Sequence, residues 1–164
     1  MKSLILIVHN IRSSHNVGSI LRTADGLGVE RVFLTGYTPY PHSQKDTRLP
    51  HISRKVDAQI HKTALGAEKS VSWEHQTDIK TVIAKLRQDK YQIVALEQTA
   101  ESTSMVKFKP QQKLALIVGR EVEGLEDEVI EMCDLAVEIT MSGQKESFNV
   151  AIAAAIFLSY CQYS

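Results

Sequence analysis

Glu138-Ile-Thr-Met-Ser-Gly-Gln-Lys-Glu-Ser-Phe-Asn-Val-Ala-Ile-Ala-Ala-Ala-Ile156 holds the change of backbone period on which the fold turns. A short apolar strand, Leu135 to Ile139, gives way to a polar turn containing Gly143. The turn runs directly into a helix that opens on Ser147 and Asn149 and is almost wholly apolar from Val150 to Leu158. Strand, glycine turn and helix N-terminus in succession are where an α/β domain holds a small ligand. The first N–H groups of a helix lack partners, and its dipole favours negative charge. Alone, Ser147 or Asn149 reads as an N-cap. Two stretches upstream look built to meet this one.

Ser3 to Val8 is a nearly continuous apolar run, the pattern of a strand buried on both faces. A polar loop, His9 to Asn16, leads into a helix expected from Val17 to Leu27, and Arg31 to Thr35 reads as a second, parallel strand after a right-handed crossover. Gly36 to Val56 shows no period, and Asp57 to Leu65 reads as a short helix. Further strands are expected at Lys69–Trp73, Tyr91–Leu96 and Leu114–Val118, with helices at Thr77–Gln88 and Glu126–Met132 and an irregular connection from Glu97 to Gln112. With Leu135–Ile139 this makes an α/β domain with a mainly parallel six-stranded sheet and helices on both faces. Ligands of such sheets sit beyond the carboxyl ends of the strands, so the loops after the first, fourth, fifth and sixth strands are expected to converge.

A length of 164 residues with 43% hydrophobic and 23% charged residues fits one globular domain, 1–164. The 19 basic and 19 acidic residues cancel, but they are unevenly placed. Lys45, Arg48, Arg54, Lys55 and Lys62 cluster with three histidines between His42 and Lys62, whereas Glu121 to Glu131 holds six carboxylates and no base. Cys133 and Cys161 form no C-x-x-C pair and the six histidines show no metal spacing, so no metal is expected. The apolar runs are too short for a signal-peptide core or a membrane span, which leads to the expectation of a cytoplasmic, soluble protein with no membrane partner.

The loop Gly119-Arg-Glu-Val-Glu-Gly124-Leu is neither a Walker loop nor G-x-G-x-x-G, and its acids would repel phosphate. Taken with Asn10, Arg12, Asn16, Gly18, Arg22 and Ala24 upstream and Ile139, Met141, Gly143, Ser147, Asn149 and Val150 downstream, it forms three ordered motifs. In these the chain resembles the TrmH (SpoU) family of the SPOUT superfamily. Those enzymes transfer a methyl group from S-adenosylmethionine to a ribose 2′-hydroxyl of tRNA or rRNA. Two positions depart from the family pattern: Thr140 stands for the usual Pro and Phe148 for the usual Leu.

The resemblance implies a SPOUT fold in which residues from about 92 to 164 form a deep trefoil knot. It implies S-adenosylmethionine as cofactor, bound at Leu96, Glu97, Gly119, Ile139, Met141, Ser147 and Asn149. It implies a catalytic set of Arg22, Asn16, Glu121, Ser147 and Asn149, with Arg22 the key group. A guanidinium stays charged, so gripping an RNA phosphate and stabilising developing charge suits Arg22 better than acting as a base. RNA contacts are expected from Arg12, Arg22, Lys45, Arg48, Arg54 and Lys55, with Tyr37 and Tyr40 available to stack on bases. Compact relatives point to tRNA ahead of rRNA and to a minimal catalytic unit. The rival readings are an RNA-binding module without catalysis and a generic nucleotide-binding protein. The apolar terminal helix is expected to pair two copies into a homodimer, with Phe157 facing outward.

Overall fold

The computed structural model describes residues 2–164. Seven strands make one sheet: β1 (Ser3–His9), β2 (Arg31–Thr35), β3 (Trp73–Gln76), β4 (Gln92–Leu96), β5 (Thr103–Ser104), β6 (Lys113–Val118) and β7 (Leu135–Glu138). Their order is β3-β2-β1-β6-β4-β7-β5, and every neighbouring pair is parallel. Among the described residues six α-helices accompany them, α1 (Ser14–Gly26), α2 (Pro50–Ala64), α3 (Ala67–Ser70), α4 (Ile79–Gln88), α5 (Asp127–Glu131) and α6 (Val150–Tyr163), with a single 3-10 turn at Met105–Lys107. Among the described residues no helix is long and apolar enough to cross a membrane.

The alternation of side chains along each central strand divides the core in two. Leu4, Leu6 and Val8 of β1, with Leu114, Leu116 and Val118 of β6, face α1, α2 and α6. Ile5 and Ile7, with Ala115, Ile117, Ile93 and Ala95, face Ile79, Val82, Ile83 and Leu86 of α4 and Val129 of α5. Both faces are thus covered, which explains why the strands read as unbroken apolar runs. Helix α1 packs directly on α2 because Gly18 lies at their crossing. A Cβ there would come 2.3 Å from the Ile60 carbonyl oxygen and 2.9 Å from the Ala64 nitrogen.

The sheet has seven strands, not the six expected. The added strand, Thr103–Ser104, pairs with β7 inside the stretch read as irregular. The strand expected at Lys69–Trp73 lies at Trp73–Gln76, because α3 occupies Ala67–Ser70. There the buried Glu68 carboxylate accepts from the Gly66 amide at 3.0 Å and meets His61 Nδ1 at 2.5 Å. Helix α1 begins at Ser14, and its N-cap is Ser13, whose side chain accepts from the Asn16 amide. Helix α2 begins at Pro50, so Arg54 and Lys55 lie on a helix rather than in a loop.

Phe157, expected to face outward, is fully buried and stacks on Phe108 at 5.7 Å between ring centres. The exposed face of α6 is carried instead by Ile152 and Tyr163, continuous in helical spacing with Phe148 before it.

Candidate active site

Going outward from the middle of the sheet, β1 runs on to β2 in one direction, and β6, which follows far later in the chain, lies against its other side. The loops after β1 and β6 therefore leave the sheet side by side in opposite directions, opening a crevice at the carboxyl ends. A cleft of about 260 Å³ occupies this end of the molecule. Its walls come from the carboxyl ends of three strands and the residues that follow them, Leu96–Gln98 at β4, Val118–Gly124 at β6 and Glu138–Ile139 at β7, and from Glu146–Phe148 before α6.

Three distant stretches are joined through Asn16. Asn149 caps α6 by accepting from the Ala151 amide at 2.9 Å and the Ile152 amide at 3.3 Å. Its side-chain nitrogen donates to Asn16 Oδ1 at 3.2 Å. Asn16 Nδ2 in turn donates to Glu121 Oε1 at 3.3 Å. Glu121 also accepts from the amides of Ser13 at 3.1 Å and Arg12 at 3.3 Å. Burial pushes the Glu121 pKa up, but these backbone donors and Asn16 outweigh it and hold the carboxyl below its ordinary value. Glu121 therefore stays ionised and acts as a clamp on the start of α1.

Glu97 plays the same part on the opposite wall. Its carboxylate accepts from the amides of Leu125 and Gln98, each at 3.0 Å. Gly124, at φ 70°, lets this happen: a Cβ there would lie 2.3 Å from Glu97 Oε2. Gln98 Nε2 donates to the Glu146 carbonyl at 3.0 Å and so links the β4 loop to the segment before α6.

Of the seven cofactor positions expected, Leu96, Glu97, Gly119, Ile139 and Ser147 line the cleft; Met141 and Asn149 do not. Gln98, Arg120, Glu146 and Phe148 also line it. Phe148 stands at the family pattern's Leu position; the other three carried no signal in the sequence beyond their nearness to the motifs. Arg12 borders an adjoining hollow with Ser13, Asn16 and Glu121, and its exposed guanidinium lies 3.9 Å from Glu123. Arg22 is exposed on α1, outside the cleft lining, and makes no hydrogen bond or ion pair among the described residues. Lys45, Arg54 and Lys55 are exposed.

Arg48 is differently placed from the other bases. Its Nη2 lies 2.5 Å from Asp46 Oδ2, Nη1 donates to the Tyr40 carbonyl at 3.0 Å, and the guanidinium stacks 3.6 Å over the Tyr40 ring. Hydrogen bonds from Arg48 hold the Asp46 carboxyl far below the usual carboxylate range. Tyr40 also stacks on His75 at 4.0 Å, which leaves Tyr37 as the exposed ring of the pair. Arg48 and Tyr40 thus hold the shape of the Tyr37–Leu49 loop.

A parallel, doubly wound α/β domain with a glycine-lined, acid-rimmed cleft at its carboxyl edge defines the class. Residues 3–159 match the SpoU rRNA Methylase family, and the chain belongs to that family. Among its relatives is the 23S rRNA (guanosine-2'-O-)-methyltransferase RlmB of Escherichia coli, 31% identical over 154 residues that cover 94% of this chain and 57% of that protein. The same enzyme of Neisseria meningitidis serogroup B is 30% identical, over 95% of this chain and 56% of its own length. The chain thus spans little more than half the length of these relatives. The crystal structure of the A. aeolicus TrmH/SpoU tRNA modifying enzyme superposes with a TM-score of 0.80 at 25% identity, covering 99% of this chain and 75% of that one. The SpoU methyltransferase AviRb from Streptomyces viridochromogenes, in complex with the cofactor AdoMet, shares the fold at a TM-score of 0.80 and 23% identity, over 98% of this chain and 57% of that one.

Proposed function

We propose that the chain is an S-adenosylmethionine-dependent methyltransferase acting on a ribose 2′-hydroxyl of RNA. The observation that carries this reading is the junction of Asn16, Glu121 and Asn149, which ties one residue from each motif together where the cleft, lined by Glu121, meets the hollow lined by Asn16 and Glu121. The cleft suits this cofactor. Glu97, Glu121, Glu123, Glu138 and Glu146 around it favour a sulfonium and an amine over a phosphate. Gly119 lies in the lining because Leu125 packs where its Cβ would be, 2.6 Å away, which leaves its backbone facing the cleft. When bound, S-adenosylmethionine supplies a methyl group activated for in-line displacement by its positive sulfur. Leu96, Gly119, Ile139 and Ser147 would hold it, and Asn149 would fix the helix start beside it. Asn16 would orient the ribose. Arg22, free in solvent, would grip the adjacent phosphate and stabilise the oxygen as its proton leaves to phosphate or water.

We favour tRNA as substrate, since the A. aeolicus tRNA modifying enzyme is matched over most of its own length. rRNA is the second reading, favoured by the 23S rRNA enzymes at 30–31% identity. Lys45, Arg54 and Lys55, with Arg12, Arg22 and exposed Tyr37, would form the RNA surface; Arg48 would act through the loop it holds. The reading includes a single cytoplasmic domain with a trefoil knot over residues 92–164, supported by the late strand β6 lying between β1 and β4. It also includes a homodimer through the exposed Phe148, Ile152 and Tyr163 face of α6. The test is titration calorimetry with S-adenosylmethionine together with methylation mapping of RNA from cells lacking the protein. Arg22→Ala should abolish methyl transfer and leave cofactor affinity intact. No heat of cofactor binding in the wild type would overturn the proposal.

A further inference from the structure

The Gly119–Gly124 turn forms one wall of the cleft, and the group that steadies it from behind takes no part in the chemistry above. His9 ends β1, is buried, and has Nδ1 2.8 Å from Thr35 Oγ1, whose hydroxyl donates to the Val8 carbonyl at 3.4 Å. With the Thr35 proton so directed, Nδ1 carries the ring hydrogen and Nε2 accepts. Asn10 follows at φ 53°, a left-handed conformation that asparagine tolerates. Its side-chain nitrogen lies 3.2 Å from His9 Nε2 and 3.0 Å from Glu126 Oε1, so its two hydrogens serve both. Its oxygen accepts from the Tyr37 amide at 3.1 Å.

Glu126 reaches the turn from the other side. Arg120 Nε lies 3.8 Å from Glu126 Oε1 and donates to the Gly124 carbonyl at 3.0 Å. The Gly124 amide donates to the Arg120 carbonyl at 3.1 Å, closing the turn. Glu126 Oε2 is buried without a hydrogen-bond partner and faces His9 Nε2 at 3.4 Å. Burial, partly opposed by Glu126 and reinforced by Arg120, holds His9 below its ordinary pKa. Burial raises the Glu126 pKa but is outweighed by its own amide, Asn10, His9 and Arg120, so the carboxylate persists.

We propose that Glu126 is a positioning residue for the cleft. Its carboxylate ties Arg120, and through Arg120 the closed turn Gly119–Gly124, to the carboxyl end of β1 at His9 and Asn10. The turn is thereby held where Gly119 can meet a ligand, which rests on the cleft being the S-adenosylmethionine site.

The test compares Glu126→Ala and Glu126→Gln with Glu131→Gln, a control on the exposed side of α5. Hydrogen exchange of the 119–124 amides is measured in each, with calorimetry of S-adenosylmethionine and steady-state turnover. In Glu126→Ala the loop amides should exchange about tenfold faster and cofactor affinity should fall about tenfold, the size expected for losing the charged hydrogen bond from Asn10 at 3.0 Å together with the 3.8 Å ion pair to Arg120. The cofactor KM should rise in step while kcat at saturation stays within about twofold, because a tie to the ground-state turn adds nothing in the transition state. Glu126→Gln, which keeps an acceptor for Asn10, should fall between, and the control should match wild type. Unchanged loop exchange in both Glu126 variants would overturn the proposal, as would a rise spread equally over β1 and β6. Faster loop exchange in a protein whose wild type takes up no cofactor would uphold the tie and refute the reading of the cleft.

Discussion

Replacing Asn16 by Ala cuts the one side chain that joins all three motifs, and the structure sets how much should be lost. Two hydrogen bonds disappear, to Glu121 at 3.3 Å and from Asn149 at 3.2 Å, both at the long end of the usual range. Neither partner is stranded. Glu121 keeps the amides of Arg12 and Ser13, and Asn149 keeps its cap on Ala151 and Ile152. The stability cost should therefore be about 1–2 kcal/mol, a drop of about 2–8 °C in melting temperature for a chain of this size. Methyl transfer should suffer far more, by about 10²-fold, because a displacement of about 1 Å between reacting groups costs that much. Differential scanning fluorimetry and single-turnover methylation with saturating cofactor measure the two effects separately. Asn16→Asp should be worse on both counts, since it sets a second carboxylate beside Glu121. Activity of Asn16→Ala within about threefold of wild type would refute the claim that this junction sets the geometry of the reaction.

On α6 the two faces should respond differently. Ile152→Asp, on the half-exposed face, should shift sedimentation to monomers or aggregates with little activity, whereas Phe157→Ala should cost about 3–5 kcal/mol of stability by emptying the core. Acid should destabilise the protein in two stages. His9 is held below its ordinary pKa of 6.5, so the unfolded chain binds more protons there and stability rises with pH across that region. Glu121, Glu126 and Glu68 are also held low, so their contribution is present above about 4.5 and is lost as pH falls through their folded values. Urea midpoints should fall between about pH 7.5 and 5.5, and His9→Gln should flatten that upper stage.

The central strands were legible because burial on both faces writes them as unbroken apolar runs, as Leu4 to Val8 shows. Strand β5 was not, since two residues carry no period. The start of α2 was signalled by Pro50 at its first turn, a cue masked by the polar residues His51, Arg54 and Lys55 on its exposed side. Helix α6 is apolar nearly all round, so its sequence could not say that Phe157 points inward; packing against Phe108 decides that. In the site, the residue types and their order were readable, but not that Asn16 bridges Glu121 and Asn149. Nor could counting charges separate Arg48 from Lys45, because the difference lies in Asp46 folding back onto one of them.

Neighbouring strands β1 and β6 are joined by a long intervening chain, and the bonds that complete the cleft span 105 residues from Asn16 to Glu121 and 133 from Asn16 to Asn149. Contacts of such reach are slow to form, because the loop-closure entropy is paid before they give any return. No early fragment of the fold can hold a partial site: until residues 149–163 dock against α1, the rim lacks a member. Ligand affinity therefore serves as a clock for the last step of folding, and any compound that fills the cleft should protect the whole sheet from unfolding rather than one local patch.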